Sequence, residues 1–274
     1  MTVRRPPGGL VLSHFSLAPA HPIAERIALA AENGFESIGL YIGHYAELER
    51  EGFAPHGLRD LLDEHGVRLA EIEVISGLGR DGVGGERAAD MEATAWRMAD
   101  AFGCRYLQVI GPADAPLADA AAAFGGVCDR AGEHGLLIGL EFLPFTDIVS
   151  VDDARAIVEA ADRSNGGICV DIWHHERGAR DLDAIAALPP ELVTGVQLND
   201  GTRVPEEPDY YTDCLRNRRP LGDGEFDVTA FLDTLVAAGV AVPWSLEVCS
   251  ASGWADAPAH IAAISAGVRQ FIDG

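Results

Sequence analysis

The feature that most constrains this chain is an alternation. Eight short runs rich in β-forming residues are each followed by a stretch whose apolar residues recur three and four positions apart. The β-rich runs are Leu10–Leu17, Ser37–Ile42, Arg68–Ser76, Arg105–Ile110, Leu136–Leu143, Gly167–Trp173, Thr194–Asn199 and Trp244–Cys249. The intervening stretches, such as Ile23–Asn33, Ala88–Phe102, Val151–Asp162 and Val228–Ala238, have the period of an amphipathic helix. Gly or Asn closes many of them, as in Asn33-Gly34, His65-Gly66, Phe102-Gly103, His134-Gly135 and Ala238-Gly239, the usual end of a helix before a strand. Strand–helix alternation without hairpin signals calls for a parallel sheet. Eight units in 274 residues, with no linker between them, predict a single closed (β/α)8 TIM barrel over residues 1–274, with residues 1–9 as an N-terminal tail.

The competing arrangement is an open doubly wound sheet. Its support is Gly77-Leu78-Gly79-Arg80-Asp81-Gly82, which spells the glycine pattern of a dinucleotide-binding turn. That pattern follows the third β-run instead of the first. The next run ends in Gly111-Pro112, without the acidic residue such a site uses, so the segment reads as a βα loop.

Composition narrows the partners. The net charge of −23 repels phosphate backbones and anionic membrane surfaces, so neither nucleic acid nor membrane is an expected partner. No apolar run reaches the about 20 residues of a membrane helix. Arg4 and Arg5 precede an apolar stretch, but Ser13, His14 and Ser16 break it, and it reads as a tail entering a strand, with a secretion signal the minor option. The five cysteines are odd in number and lack a C-x-x-C spacing, which fits free thiols in a cytoplasmic protein. A homo-oligomer is left open.

In such a barrel the active face lies at the C-terminal strand ends. Four consecutive β-runs place an oxygen-bearing side chain there: Glu141, Asp171, Gln197 and Glu247. Small residues two positions earlier, Gly139, Cys169, Gly195 and Ser245, share their face of the strand. Carboxylates gathered in one barrel mouth repel unless protons or a cation neutralise them. Carboxylates with an amide oxygen make a hard donor set suited to one Mg2+ or Mn2+, with Co2+ or Zn2+ less favoured for want of nitrogen and sulfur.

These residues resemble the xylose isomerase-like barrel superfamily, the sugar phosphate isomerase/epimerase group. The matching pieces are Glu141, the Asp-x-x-His of Asp171 and His174, Gln197, Glu247, and an Arg-x-x-Gly-x-Gly segment starting at Arg219 and running through Gly222 and Gly224. The resemblance implies a metal held by Glu141, Asp171, Gln197 and Glu247. It also implies proton transfer by Glu141 and Glu247, and substrate contacts from His174 and Arg219. Strand seven usually carries a metal-binding His in this group; Gln197 stands there instead, as in the dehydroshikimate dehydratases, a lyase branch of the same superfamily.

Other residues carry weaker signals. His174 suits acid/base work or substrate contact, whereas the adjacent His175 reads as a surface residue. His14 is a candidate to line the mouth and contact substrate, with a core histidine the equal alternative. Glu71 and Glu73 share a parity, so both face the barrel or both face away; one of them is a candidate to reach the site, and a rim role is the favoured expectation. The long segment Gly201–Glu225 carries Tyr210, Tyr211, Arg216, Arg218 and Arg219, a basic patch that reads as a lid over an anionic site. Phe142, Trp173 and Trp254 are candidate apolar walls, though such residues more often serve as packing. The expected function is a metal-dependent isomerase or epimerase that removes a proton next to a carbonyl on a small polyhydroxylated, sugar-like substrate. The alternatives are a dehydratase using the same enolate, or a non-catalytic ligand-binding barrel.

Overall fold

A computed structural model describes residues 3–78 and 86–273. Residues 79–85, which hold most of the glycine pattern after Ser76, lie outside the described residues. The strands are β1 (Val3–Arg4), β2 (Leu10–Leu12), β3 (Ser37–Tyr41), β4 (Arg68–Ser76), β5 (Tyr106–Ile110), β6 (Leu137–Glu141), β7 (Gly166–Asp171), β8 (Val193–Leu198), β9 (Trp244–Leu246) and β10 (Ile272–Asp273). Strands β2 to β9 form a closed barrel in sequence order. β9 closes in parallel onto β2 through Leu10–Trp244, Val11–Ser245 and Leu12–Leu246. The fold is therefore the predicted (β/α)8 TIM barrel, since an open sheet would leave β2 and β9 unpaired. β1 and β10 pair in parallel beside it, tying the two ends of the chain together. Among the described residues, no helix is long and apolar enough to cross a membrane.

The two faces of each strand explain the sequence pattern. Leu12, Ile38, Leu40, Leu107, Ile138, Leu140, Val170 and Leu198 are all fully buried, and this parity is the one that packs on the surrounding helices. The opposite parity faces the lumen, where the small residues make room for one large ring. A Cβ on Gly139 would lie 2.9 Å from two ring carbons of Tyr106, and one on Gly195 would lie 2.7 Å from the ring's Cζ. Tyr106 thus fills the middle of the barrel because its neighbours on β6 and β8 lack side chains.

Six of the eight β-runs end earlier than the sequence suggests, and three of these ends shape the mouth. β2 stops at Leu12, because the Ser13 hydroxyl accepts the Phe15 amide and turns the chain into a short 3-10 segment, His14–Ser16. β7 stops at Asp171, whose carboxylate caps the helix Ile172–Arg177 by accepting the Trp173 amide at 2.8 Å. β9 stops at Leu246, with Glu247 held by its amide to the Leu198 carbonyl at 3.1 Å. These terminations leave Asp171 and Glu247 at the mouth.

Candidate active site

The C-terminal ends of the strands enclose a cavity of ≈390 Å³. Its polar floor is Gln108, Glu141, His174, Arg218 and Glu247, and aromatic side chains including Phe15, Tyr41 and Trp254 form its walls. A cavity of similar size opens at the other end of the barrel, between Arg68, Tyr106 and Thr194. The convergence of carboxylates, amides, imidazole and guanidinium marks the first as the candidate site.

Glu141 ends β6, fully inside the lumen. Its Oε2 accepts from Gln108 Nε2 at 2.6 Å, and its buried Oε1 has no hydrogen-bond partner. His174 Nε2 lies 3.2 Å from that oxygen and 3.5 Å from Asp171 Oδ2. Among the described residues, donor atoms of Glu141, Asp171 and His174 lie within 4.8 Å of one another. Asp171 Oδ1 is spoken for by the Trp173 amide and by Asn199 Nδ2 at 2.9 Å. Gln197 is buried on β8 and reaches Glu141 only through Gln108, whose Nε2 lies 3.3 Å from its Oε1.

Glu247 is joined to Asp171 by a cation that sequence reasoning had not singled out. Arg218 Nη1 donates to Asp171 Oδ2 at 2.8 Å and to Glu247 Oε2 at 3.0 Å. The same side chain binds the Cys214 carbonyl through Nε at 3.0 Å and Cys214 Sγ through Nη2 at 3.1 Å. It is 2% exposed. Arg219, which the sequence reading placed here, is instead 40% exposed and pairs with Glu206 outside the cavity at 2.8 Å. The antiparallel bridge between Asp200 and Arg219 sets this choice, because adjacent residues of an extended segment point to opposite sides. The signal available in the sequence was only the pair of arginines.

Three further expectations change. His14 does not line the cavity: Phe15 and Tyr41, which do, pack on its ring at 5.2 and 5.8 Å between centroids. Burial, then the charges of Arg26 and His44, holds the His14 pKa well below the usual imidazole value. Glu71 and Glu73 are buried in the lumen, not on the rim, because their parity is the lumen-facing one. Ser245 Oγ donates to Glu71 at 2.6 Å, while Ser13 Oγ and the His14 amide donate to Glu73 at 3.0 and 2.9 Å. Burial and the neighbouring Glu73 charge push Glu71 up to about 8, and burial pushes Glu73 up to about 7. His175 is buried against Phe231 and not at the surface. Of the candidate walls, Trp254 lines the cavity, whereas Phe142 and Trp173 are buried packing.

The basic segment Gly201–Glu225 is anchored across the mouth. Its helix Tyr210–Arg216 starts at Asp209, which accepts the Thr212 amide at 2.8 Å. Buried Asp213 ties it down, accepting from Arg177 at 3.1 Å, from the Glu206 amide at 3.0 Å and from Asn217 at 2.9 Å. Tyr210 reaches the site: its hydroxyl lies 2.9 Å from His174 Nδ1, and its ring stacks on the imidazole at 6.1 Å and 15°. Burial also raises Glu247 well above the usual carboxylate range, an effect that Arg218 opposes and Asp171 and Glu141 reinforce.

A (β/α)8 barrel with an acidic, arginine-bridged cavity at the C-terminal strand ends defines the class, and comparison with known proteins agrees. Residues 27–268 match the family described as xylose isomerase-like TIM barrel, and the chain belongs to that family. A 3-dehydroshikimate dehydratase of Pseudomonas aeruginosa is 33% identical over 151 residues, which cover 53% of this chain and 23% of that protein. The match thus spans about a quarter of that relative's length. A zinc-bound IolI protein superposes with a TM-score of 0.81 at 15% identity, covering 97% of this chain and 99% of the other. The D-allulose 3-epimerase of Methylomonas sp. superposes at 0.74 and 16% identity, covering 99% of this chain and 100% of the other. At these identities the two structures speak to the fold.

Proposed function

We propose that this cavity dehydrates a small polyhydroxylated ketone, in the manner named for the Pseudomonas relative. The observation that carries the reading is the asymmetry of the floor: among the described residues, Glu141 Oε1 is a buried carboxylate oxygen without a hydrogen bond, whereas Glu247 Oε2 is engaged by Arg218. One uncommitted carboxylate suits a single-base elimination. Glu141 takes the proton next to the carbonyl, the C–H electrons form the double bond, and the β C–O bond breaks. Glu141 then returns the proton to the departing hydroxyl, and water leaves. His174 Nε2 and Arg218 orient the substrate oxygens and meet the negative charge that develops on the carbonyl.

A divalent cation fits the site on its donor set: a buried carboxylate oxygen without a partner, with Asp171 and His174 donors within 4.8 Å. Glu141, Asp171, Gln197 and Glu247 are the residues we assign to hold it. When bound, it supplies Lewis-acid stabilisation of negative charge on a substrate oxygen. A second reading, isomerisation or epimerisation of a keto sugar, draws support from Glu141 and Glu247 lining one cavity, since a second carboxylate could return the proton from another side.

Incubation with 3-dehydroshikimate and with keto sugars in D₂O, plus Mn2+, tests the choice. Product lacking one water supports the dehydratase; deuterium in a product of unchanged formula refutes it in favour of the isomerase.

A further inference from the structure

A (β/α)8 barrel normally fills its lumen with layers of side chains. Here the layer at the N-terminal strand ends is incomplete, and a cavity of ≈400 Å³ opens there. Its strand residues belong to the lumen-facing parity: Ser37 on β3, Leu69 and Glu71 on β4, Tyr106 on β5 and Gly195 on β8. The cavity therefore enters the barrel itself, and the Tyr106 ring forms its inner wall. Glu71 is the polar group at depth, only 6% exposed. Among the described residues its carboxyl has a single hydrogen bond, donated by Ser245 Oγ to Oε2 at 2.6 Å, which leaves Oε1 unused. At the outer end stand Arg68, which opens β4, and Arg105, which precedes β5. The parallel register of Ile72 with Leu107 brings the two to one stretch of rim. Among the described residues neither guanidinium pairs with a carboxylate, and Arg105 donates only to the His134 carbonyl at 3.1 Å. In a chain of net charge −23, two cations without anionic partners on one rim are a directed feature.

We propose that this cavity is a second binding site, for a small aromatic carboxylate that carries a hydroxyl at the far end of its ring. Each part of the ligand follows from one part of the cavity. The paired guanidinium groups repel a cation and present planar forks that match a carboxylate. Behind them Leu69, Leu137, Val242 and Pro243 make apolar walls, which suit a ring and disfavour a fully hydroxylated sugar. The Tyr106 ring offers an aromatic surface for a flat partner. Glu71 lies three residues beyond Arg68 on β4, about 10 Å of strand, enough for one six-membered ring with a polar group at each end. Its carboxyl accepts from the ligand hydroxyl whether or not it carries a proton. The lining shares no residue with the acidic cavity at the other end of the barrel, and the assignment does not depend on the reaction proposed for that cavity.

The test is isothermal titration calorimetry of 4-hydroxybenzoate into the full chain, treated with chelator and held at low salt. One site per chain is expected. Arg68→Gln and Arg105→Gln should each weaken binding about 10-fold, the size expected for one charge-assisted hydrogen bond. Both arginines are exposed, so neither substitution should disturb folding, and unchanged circular dichroism melts verify this. Leu137→Trp, at a side chain 44% exposed on the rim, should abolish binding by filling the mouth. Glu141→Gln, in the opposite cavity, should leave the affinity as it is. Phenol, which lacks the carboxylate, should not compete. No heat at millimolar 4-hydroxybenzoate, unchanged affinity in both arginine variants, or affinity lost in Glu141→Gln would overturn the proposal. Displacement by an equal concentration of inorganic phosphate would overturn the choice of a carboxylate.

Discussion

Replacing Arg218 by Met isolates the role of the buried guanidinium. The substitution keeps much of the length of the side chain but removes the charge that Nη1 presents to Asp171 at 2.8 Å and Glu247 at 3.0 Å. With the side chain 2% exposed, water cannot replace it, and two carboxylates face each other without a counter-charge. Removing one partner of a buried ion pair costs about 3–5 kcal/mol. For a chain of this size each kcal/mol lowers the thermal midpoint by about 2–4 °C, so metal-free Arg218→Met should melt about 6–20 °C below wild type. The control is Arg219→Met. Its partner Glu206 is 41% exposed, and such surface pairs contribute about 0–1 kcal/mol, so its midpoint should stay within about 4 °C of wild type. Circular dichroism melts of the three proteins after chelation make the comparison. Equal midpoints for the two variants would refute the reasoning, because they would mean that Arg218 is no more embedded in the ion network than its neighbour. A saturating divalent cation should restore part of the Arg218→Met deficit, since at 100-fold over Kd binding adds about 2.7 kcal/mol.

Other perturbations test separate parts of the account. Gly139→Ala and Gly195→Ala should each destabilise by about 1–3 kcal/mol in urea titrations, because the new methyl overlaps the Tyr106 ring, and full stability in either would show that the ring does not fill the lumen. Glu71 holds its proton in the folded barrel up to about 8, against 4.5 for the ordinary group. The folded state then binds more protons than the unfolded chain between those values, so the contribution is complete below about pH 4.5 and is lost as pH rises to about 8. Wild-type stability should therefore fall across that window, and Glu71→Gln should fall less; parallel curves would count against a protonated Glu71. Asp171→Asn should weaken Mn2+ binding about 10-fold or more by calorimetry, since it removes an anionic carboxylate that lies 3.5 Å from His174 Nε2 and 2.8 Å from Arg218 Nη1.

The barrel was legible in the sequence because its signal is local. Period-two strands, period-3.6 helices and Gly-closed helix ends are properties of neighbouring residues, and eight repeats leave few other topologies. Glu141, Asp171, Gln197 and Glu247 were legible for the same reason: alternation within one strand carries them to one face, and the small residues Gly139 and Gly195 beneath them mark the space that Tyr106 occupies. Their mutual contacts were not legible, since Gln108 and Arg218 stand between them.

What tertiary structure alone decided are the contacts made by loops. Arg218 and Arg219 have equal charge and adjacent positions, and only the pairing of Asp200 with Arg219 turns one inward and the other toward Glu206. The lumen position of Glu71 and Glu73 depends on which parity of β4 faces inward, which alternation alone leaves two-fold ambiguous in a strand buried on both sides. The contact between Tyr210 and His174 joins residues 36 positions apart through the anchoring of Asp213, and no local period encodes a distance of that kind.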